Sequence, residues 1–147
     1  MSTTKATVLI VEDNPDHAEL IEATILDCEP GIKILSQRNG EDALQYLASL
    51  KQRNAPLPDL VFMDIKMPRM NGIETLIAIK QDPQLHYIPV VMLSTSTNES
   101  EMRICLKAGA EIYLAKPLQA NAFEELIRPL LERWRNAPPH KKGNQSL

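Results

Sequence analysis

The sequence has few cysteines and no long apolar run. Cys28 and Cys105 are the two cysteines in 147 residues, and they form no CxxC pair, which argues against a disulfide framework and against a structural zinc site. The first apolar run, Val8–Val11, ends at Glu12, far too soon for a signal sequence or a membrane span. We therefore expect a cytoplasmic protein with two buried, reduced thiols and no membrane association.

The sequence also lacks an excess of positive charge and the glycine patterns of nucleotide-binding loops. It has 16 Lys and Arg against 19 Asp and Glu, a net charge of −3, and no basic stripe, so direct nucleic-acid binding is not expected. Its five glycines form neither GxGxxG nor a GK[ST] run, which argues against a dinucleotide enzyme. His17, His86 and His140 share no ligand spacing and are expected at the surface.

Short apolar runs alternate regularly with segments of helical spacing. The runs are dense and mostly non-alternating, as in parallel strands that are covered on both faces. Asn14-Pro15 predicts a helix cap followed by proline at the first helical position, and Asn98 with Glu101 predicts a capping pair. The alternation predicts one α/β domain whose parallel sheet has helices on both sides. The five predicted strands are Val8–Val11, Ile32–Leu35, Leu60–Met63, Val90–Leu93 and Ile112–Ala115.

The C-terminal part of the sequence changes character twice. Residues 121–135 read as a final amphipathic helix, but Pro129 removes one backbone hydrogen bond, so we expect a kink or break near Glu125–Arg128. From Asn136 the chain becomes polar and rich in proline. This composition predicts a folded domain over residues 5–135 and a disordered tail over residues 136–147, with no output domain.

Polar residues stand where the predicted strands end, and ligand sites of open parallel sheets lie at this edge. Glu12 and Asp13 follow the first strand, Asp64 the third, Ser94 the fourth and Lys116 the fifth. Three adjacent carboxylates repel, each close pair by about 4 kcal/mol at about 4 Å, so a cation is needed. Oxygen ligands without histidine suit Mg²⁺, and a phosphoryl group beside Asp64 would complete its shell. Since Lys116 and Ser94 could contact phosphate oxygens, the residues predict phosphoryl transfer to an aspartate.

These residues and their neighbours resemble the receiver domains of two-component response regulators. The resemblance runs from Thr7 to about Arg135, with four motifs in the order of that family. It implies a flavodoxin-like (βα)5 fold, a doubly wound parallel five-stranded sheet of order 2-1-3-4-5 in three α/β/α layers. A narrower resemblance is to stand-alone regulators that serve phytochrome-like sensor histidine kinases. The motifs are Glu12-Asp13, MDIKMPRMNG at 63–72, IPVVMLS at 88–94 and GAEIYLAKP at 109–117.

The resemblance implies a metal and phosphoryl site. Asp64 would be the phosphoacceptor, and Asp13 and Asp64 would bind Mg²⁺ directly. Glu12 stands where an aspartate is more frequent, so this longer side chain would reach the ion through water or directly. The backbone carbonyl of Lys66 would complete the metal site, and Lys116 would bind the phosphate.

The resemblance also implies a switch and a set of partners. Ser94 and Tyr113 would be the switch residues, acting on the face formed by the fourth helix, the fifth strand and the fifth helix. Lys66, Thr95 and Ser96 would tune the phosphoryl lifetime, with Lys66 covering the acyl phosphate. The phosphoryl donor would be a sensor histidine kinase or a phosphotransfer domain, and some relatives form a homodimer through the switching face.

Two other functions stay open beside this one. A phosphorylation-independent scaffold of receiver shape predicts damage to the site residues, and these are intact. An aspartate-nucleophile phosphatase usually has a second acid two residues after the nucleophile, where this sequence has Lys66. We therefore expect a signalling protein and not an enzyme.

Overall fold

The computed structural model describes residues 6–96, 98–116 and 120–135. Strands and helices alternate along the whole of this part of the chain. The predicted tail, residues 136–147, lies outside the described residues, so its disorder stays a prediction. The elements are β1 (Thr7–Val11), α1 (Pro15–Cys28), β2 (Lys33–Gln37), α2 (Gly40–Gln52), β3 (Leu60–Asp64), α3 (Gly72–Gln81), β4 (Val90–Ser94), α4 (Glu99–Lys107), β5 (Ile112–Ala115) and α5 (Ala120–Arg135).

The strands form one parallel sheet of order β2-β1-β3-β4-β5, which confirms the predicted fold class. Every residue of β3 and β4 is buried, whereas the edge strands β2 and β5 are only partly covered because each has a single neighbour. In the sheet register Asp64 pairs with Leu93, and Ser94 pairs with Ala115. The carboxyl ends of these strands therefore meet at one edge.

Alternate side chains of the sheet feed two apolar cores, one on each face. Leu9 and Val11 of β1 lie in the core covered by α2, α3 and α4, whereas Val8 and Ile10 lie in the core covered by α1 and α5. This follows from the two-residue period of a strand, and it explains why the predicted strands read as continuous apolar runs. The sheet is thus the middle of three layers.

The helix boundaries follow the predicted caps. The Asn14 side chain accepts hydrogen bonds from the first turn of α1, with Pro15 at the first position, and Asn98 caps α4. Helix α5 continues from Ala120 to Arg135 through Pro129, so the predicted alternative of a break does not occur, while the alternative of a kink stays a prediction. The apolar face of α5, including Phe123 and Ile127, is buried against the sheet, and this burial offsets the hydrogen bond lost at the proline.

Two further expectations concern the burial of the cysteines and the absence of a membrane span. Cys105 is buried, and its burial raises the pKa of the thiol to about 11, whereas Cys28 is only partly buried, so the expectation of two buried thiols holds for one. Among the described helices, none combines the length and the apolar character that a membrane span requires.

Candidate functional site

Three carboxylates meet at the carboxyl edge of the sheet. Glu12 and Asp13 directly follow β1, and Asp64 ends the neighbouring strand β3, with Val11 and Met63 in register. One carboxylate oxygen of each lies within 4.8 Å of the others. Glu12 and Asp64 are 3% and 6% exposed, so two of the three charges have almost no contact with water. The structure therefore brings together the acids that the sequence predicts.

One buried lysine lies among these carboxylates. The Lys116 ammonium donates hydrogen bonds to Oε1 of Glu12 at 2.6 Å and to Oδ1 of Asp64 at 3.1 Å. Its position follows from the sheet, because the Lys116 backbone N–H donates to the Ser94 carbonyl at 2.6 Å, directly after β5. Among the residues that the structure describes, the Lys116 ammonium is the one cation hydrogen-bonded to any of these three carboxylates, which leaves an excess of negative charge at the site.

The pKa of Asp64 is raised in this site. Burial, followed by the negative charge of Glu12, raises the pKa of Asp64 from 3.8 to about 6, although Lys116 opposes this shift. A bound divalent cation would relieve the repulsion, and carboxylate oxygens are the ligands that hard cations such as Mg²⁺ prefer. The donor set of Glu12, Asp13 and Asp64 therefore fits the predicted ion.

His17 reaches the site, which the sequence analysis did not predict. Its Nδ1 lies 3.2 Å from the Lys116 ammonium and 3.9 Å from Oε2 of Glu12, and its side chain is 22% exposed. The expected surface position is therefore only partly right. The sequence signal for this position was that His17 lies in the first turn of α1. Asn14 caps this helix, and the backbone N–H of Asn14 donates to Oε2 of Glu12 at 3.2 Å.

The loop after β3 is held against Asp64 by a glycine. The Gly72 N–H donates to the Ile65 carbonyl at 2.8 Å, and a Cβ atom at position 72 would lie only 2.1 Å from the Asp64 carbonyl oxygen. Gly72 is the last residue of the MDIKMPRMNG motif, and no role was predicted for it from the sequence. Lys66 lies in this loop with an exposed side chain, and the ligand role of its carbonyl stays a prediction.

The predicted switch residues meet at a carboxylate of α4. The Ser94 hydroxyl donates to Oε1 of Glu101 at 2.8 Å, and the Tyr113 hydroxyl lies 2.7 Å from the same oxygen. Tyr113 also reaches the Ser96 carbonyl at 2.9 Å, and burial raises the pKa of its hydroxyl. Thr95 is exposed. Glu101 was predicted only as a capping residue, since its contact with Ser94 depends on the placement of α4.

The carboxyl edge of a doubly wound sheet, with clustered acids opposite one buried lysine, is the arrangement expected of a response-regulator receiver. The family model for the response regulator receiver domain matches residues 8–128, and the chain belongs to this family. The chain is therefore a receiver of the two-component type.

Two individual proteins are similar to this chain in sequence. The probable methanogenesis regulatory protein FilR2 of Methanothrix harundinacea is 34% identical over 127 residues, which cover 86% of this chain and 82% of that protein. Response regulator Rcp1 of Synechocystis is 28% identical over 128 residues, 86% of this chain and 87% of that protein. The chain is thus similar to relatives that it matches over most of their length.

Solved structures agree with this comparison. The phosphorylated cyanobacterial phytochrome response regulator RcpA matches with a TM-score of 0.82 and 30% identity, over 90% of this chain and 96% of that one. The Mn²⁺-bound form of response regulator Rcp1 matches with a TM-score of 0.78 and 27% identity over the same shares. Similarity to phytochrome response regulators, inferred above from sequence, is confirmed.

Proposed function

We propose that the chain accepts a phosphoryl group on Asp64 from the phosphohistidine of a sensor histidine kinase or phosphotransfer domain. The observation that carries this proposal is the buried Asp64 carboxylate, with Glu12 and Asp13 beside it and the Lys116 ammonium 3.1 Å away. With a divalent cation held by these acids, the cation and Lys116 together could neutralise the charge of an incoming phosphoryl group, which is the main requirement of phosphoryl transfer.

The transfer needs few protein groups. A carboxylate oxygen of Asp64 attacks phosphorus as the phosphorus–nitrogen bond of phosphohistidine breaks, and the imidazole keeps the bonding electron pair. The product on this chain is an acyl phosphate. Lys116 is already within hydrogen-bond distance of Asp64, so it can pair with a phosphoryl oxygen after a small movement. Ser94, at the end of the adjacent strand, can donate a hydrogen bond to another oxygen.

A divalent cation belongs to the proposed site. Glu12, Asp13, Asp64 and the Lys66 carbonyl would hold Mg²⁺, which when bound would neutralise charge on the phosphoryl oxygens. The clustered oxygens of the three acids support this assignment. The Mn²⁺-bound form of the relative Rcp1 supports a divalent cation in this family.

Phosphorylation would alter the face formed by α4, β5 and α5. Ser94 would turn toward the new phosphoryl oxygens, and Tyr113 of β5 would respond because both contact Glu101 of α4. This face has exposed apolar side chains suited to a protein partner or a second copy of the chain. They are Ile104, Leu106 and Leu126, which are 52%, 46% and 39% exposed. We place the exchange in the cytoplasm, where such kinases present their phosphohistidine and where free Cys28 and Cys105 stay reduced.

Three residues near Asp64 would set the lifetime of the acyl phosphate. Lys66 is long, cationic and exposed, so it can cover the phosphoryl group against water. Thr95 and Ser96 follow the switch serine, and by family resemblance they would flank the same approach, Thr95 with the bulkier side chain. Lys66→Ala is therefore expected to shorten the lifetime of the adduct.

Intact mass spectrometry tests the proposal directly. Wild type, Asp64→Asn and the matched control Asp59→Asn are incubated with Mg²⁺ and acetyl phosphate and followed over time. Asp59 precedes the same strand at its opposite end, where its Oδ2 accepts a hydrogen bond from the Thr7 N–H at 2.9 Å, and asparagine keeps an oxygen there. We expect a labile single-phosphate adduct on wild type and Asp59→Asn but none on Asp64→Asn.

Other results of this experiment would identify another function. No adduct on wild type, with Mg²⁺ binding established and a cognate kinase also inactive, would contradict the proposal and favour a phosphorylation-independent scaffold. Continuous phosphate release at enzymatic rates would favour a phosphatase. The same time course on Lys66→Ala measures the lifetime effect.

A further inference from the structure

Both proposed switch hydroxyls lie within hydrogen-bond distance of one carboxylate oxygen of Glu101. Ser94 donates to this oxygen, whereas the single hydrogen of the Tyr113 hydroxyl is shared between it and the Ser96 carbonyl, 2.9 Å away. Oε1 of Glu101 lies 2.8 Å from the Ser94 hydroxyl oxygen and 2.7 Å from the Tyr113 hydroxyl oxygen. A hydroxyl carries one hydrogen, so Ser94 cannot donate to Glu101 and to a phosphoryl oxygen at the same time. The contact with Glu101 therefore competes with the contact that phosphorylation would create.

The surroundings of Ser94 fix the direction of its hydrogen. The Ser96 N–H donates to Ser94 Oγ at 3.1 Å, and the Ser96 hydroxyl oxygen lies 3.3 Å from it. Because a carboxylate oxygen only accepts, the Ser94 hydrogen is directed to Glu101, and the Ser94 oxygen accepts from the Ser96 N–H. Because the acceptor is a carboxylate, this hydrogen bond is stronger than one between neutral groups.

The start of α3 shows what Glu101 would do in an ordinary helix cap. There Asn71 accepts from the Glu74 N–H, and the Glu74 carboxylate accepts in return from the Asn71 N–H, both at 2.9 Å. In α4 the Asn98 side chain accepts from the Glu101 N–H at 3.1 Å, which is the first half of this arrangement. The Glu101 carboxylate, however, accepts from Ser94 and lies within hydrogen-bond distance of the Tyr113 hydroxyl, so its position is not explained by capping.

We propose that Glu101 is a positioning residue that opposes phosphorylation by holding the Ser94 and Tyr113 hydroxyls in the unphosphorylated arrangement. This inference rests on the proposed phosphorylation of Asp64. Ser94 must leave Glu101 to contact the phosphoryl group, and its departure leaves that oxygen to the Tyr113 hydroxyl alone among the two switch side chains. The change reaches α4 and Tyr113 directly, since Glu101 belongs to α4 and Tyr113 to β5.

The test compares the phosphorylated fraction and the adduct half-life in variants of the full chain. We expect Glu101→Gln to raise the ratio of phosphorylated to unphosphorylated protein, at fixed Mg²⁺ and acetyl phosphate, by about tenfold, or about 1.4 kcal/mol. Glu99→Gln is the matched control, because it removes one charge from the same helix start without contact to Ser94. Glu101→Asp should restore part of the wild-type behaviour.

A serine-to-alanine background separates positioning from a general charge effect. In Ser94→Ala the hydroxyl is gone, so adding Glu101→Gln should change the ratio by less than about twofold. Equal ratios for Glu101→Gln, Glu99→Gln and wild type would overturn the inference, as would a tenfold effect that persists without Ser94. In both cases adducts still form, so the proposed function stands. The lack of any adduct on wild type, with acetyl phosphate and with a cognate kinase, would instead overturn the proposed function and this inference with it.

Discussion

Lys116 divides its hydrogen bonds unequally between two buried acids. It lies 2.6 Å from Glu12 and 3.1 Å from Asp64, so Glu12 is the better neutralised of the two. Burial, followed by the negative charge of Glu12, raises the pKa of Asp64 to about 6, and the more distant Lys116 ammonium only partly opposes this rise. The acid proposed to accept the phosphoryl group is therefore held at a cost to the folded state.

This cost predicts that Asp64→Asn stabilises the protein when divalent cations are removed. The folded pKa lies above the unfolded value, so ionised Asp64 destabilises the fold above about pH 6, and the penalty disappears as the pH falls through about 6 toward 4. Urea unfolding in EDTA at pH 7.5 should give Asp64→Asn an advantage of about 1–3 kcal/mol, which shrinks by pH 5. Equal stability at pH 7.5, or a gap that widens on acidification, would contradict this account.

Which site residues could be foreseen depends on what positions them. Glu12, Asp13, Asp64 and Lys116 follow buried strands, so the topology of a parallel sheet brings them together, and the sequence was sufficient to predict this. Their roles in phosphoryl transfer stay predictions. The carboxylate of Glu101 was missed because its position depends on where α4 packs and on a side-chain rotamer. No periodic pattern of apolar residues in the sequence predicts either of them.

The strands and helices that carry the site residues depend on close contacts between backbone atoms as much as on intrinsic helix and strand propensity. Asn71 and Glu74 cap the start of α3 from both sides. Gly72, the first residue of this helix, lies directly behind the Asp64 carbonyl, where a side chain has no space. The helix start thus supports the backbone of the proposed phosphoacceptor.

Gly72→Ala is expected to destabilise the protein and to displace Asp64. The added Cβ would lie 2.1 Å from the Asp64 carbonyl oxygen, and such overpacking against backbone costs about 1–3 kcal/mol or more. Chemical denaturation checks this value. Gly31→Ala is the control, since a Cβ there meets nothing within 4 Å and should change the unfolding free energy by less than about 0.5 kcal/mol. Equal effects of both variants would refute the close-approach explanation.

Strands and helices were predicted to within one or two residues where apolar period and caps agree, as for β5 and the start of α1. Of the kink or break expected in α5, the break does not occur, because the burial of Phe123 and Ile127 against the sheet holds the helix together across Pro129. The destabilising effect of a proline is local, whereas the compensating burial of apolar side chains comes from packing against the sheet. The sequence of the helix alone does not predict that burial.

For the whole molecule, the acidic cluster makes stability depend on cations. At a Mg²⁺ concentration a hundredfold above its dissociation constant, the ion should add about 2.7 kcal/mol to the unfolding free energy, or about 5–10 °C in melting temperature. Thermal melting with and without MgCl₂ measures this shift. Asp13→Asn should lose most of it and Asp59→Asn should keep it. A full shift in Asp13→Asn would remove Asp13 from the proposed metal site.

The hydrogen bonds of Lys116 close very long loops of the chain. Its partner Asp64 is 52 positions away in sequence, and Glu12 is 104 positions away. Closing such loops costs conformational entropy before the long-range contacts can form. Folds that are rich in long-range contacts therefore form slowly. The three strands that carry these residues must all have joined the sheet before their side chains can meet. During refolding the site should therefore be absent from early, partly formed species and should arise only with the complete sheet.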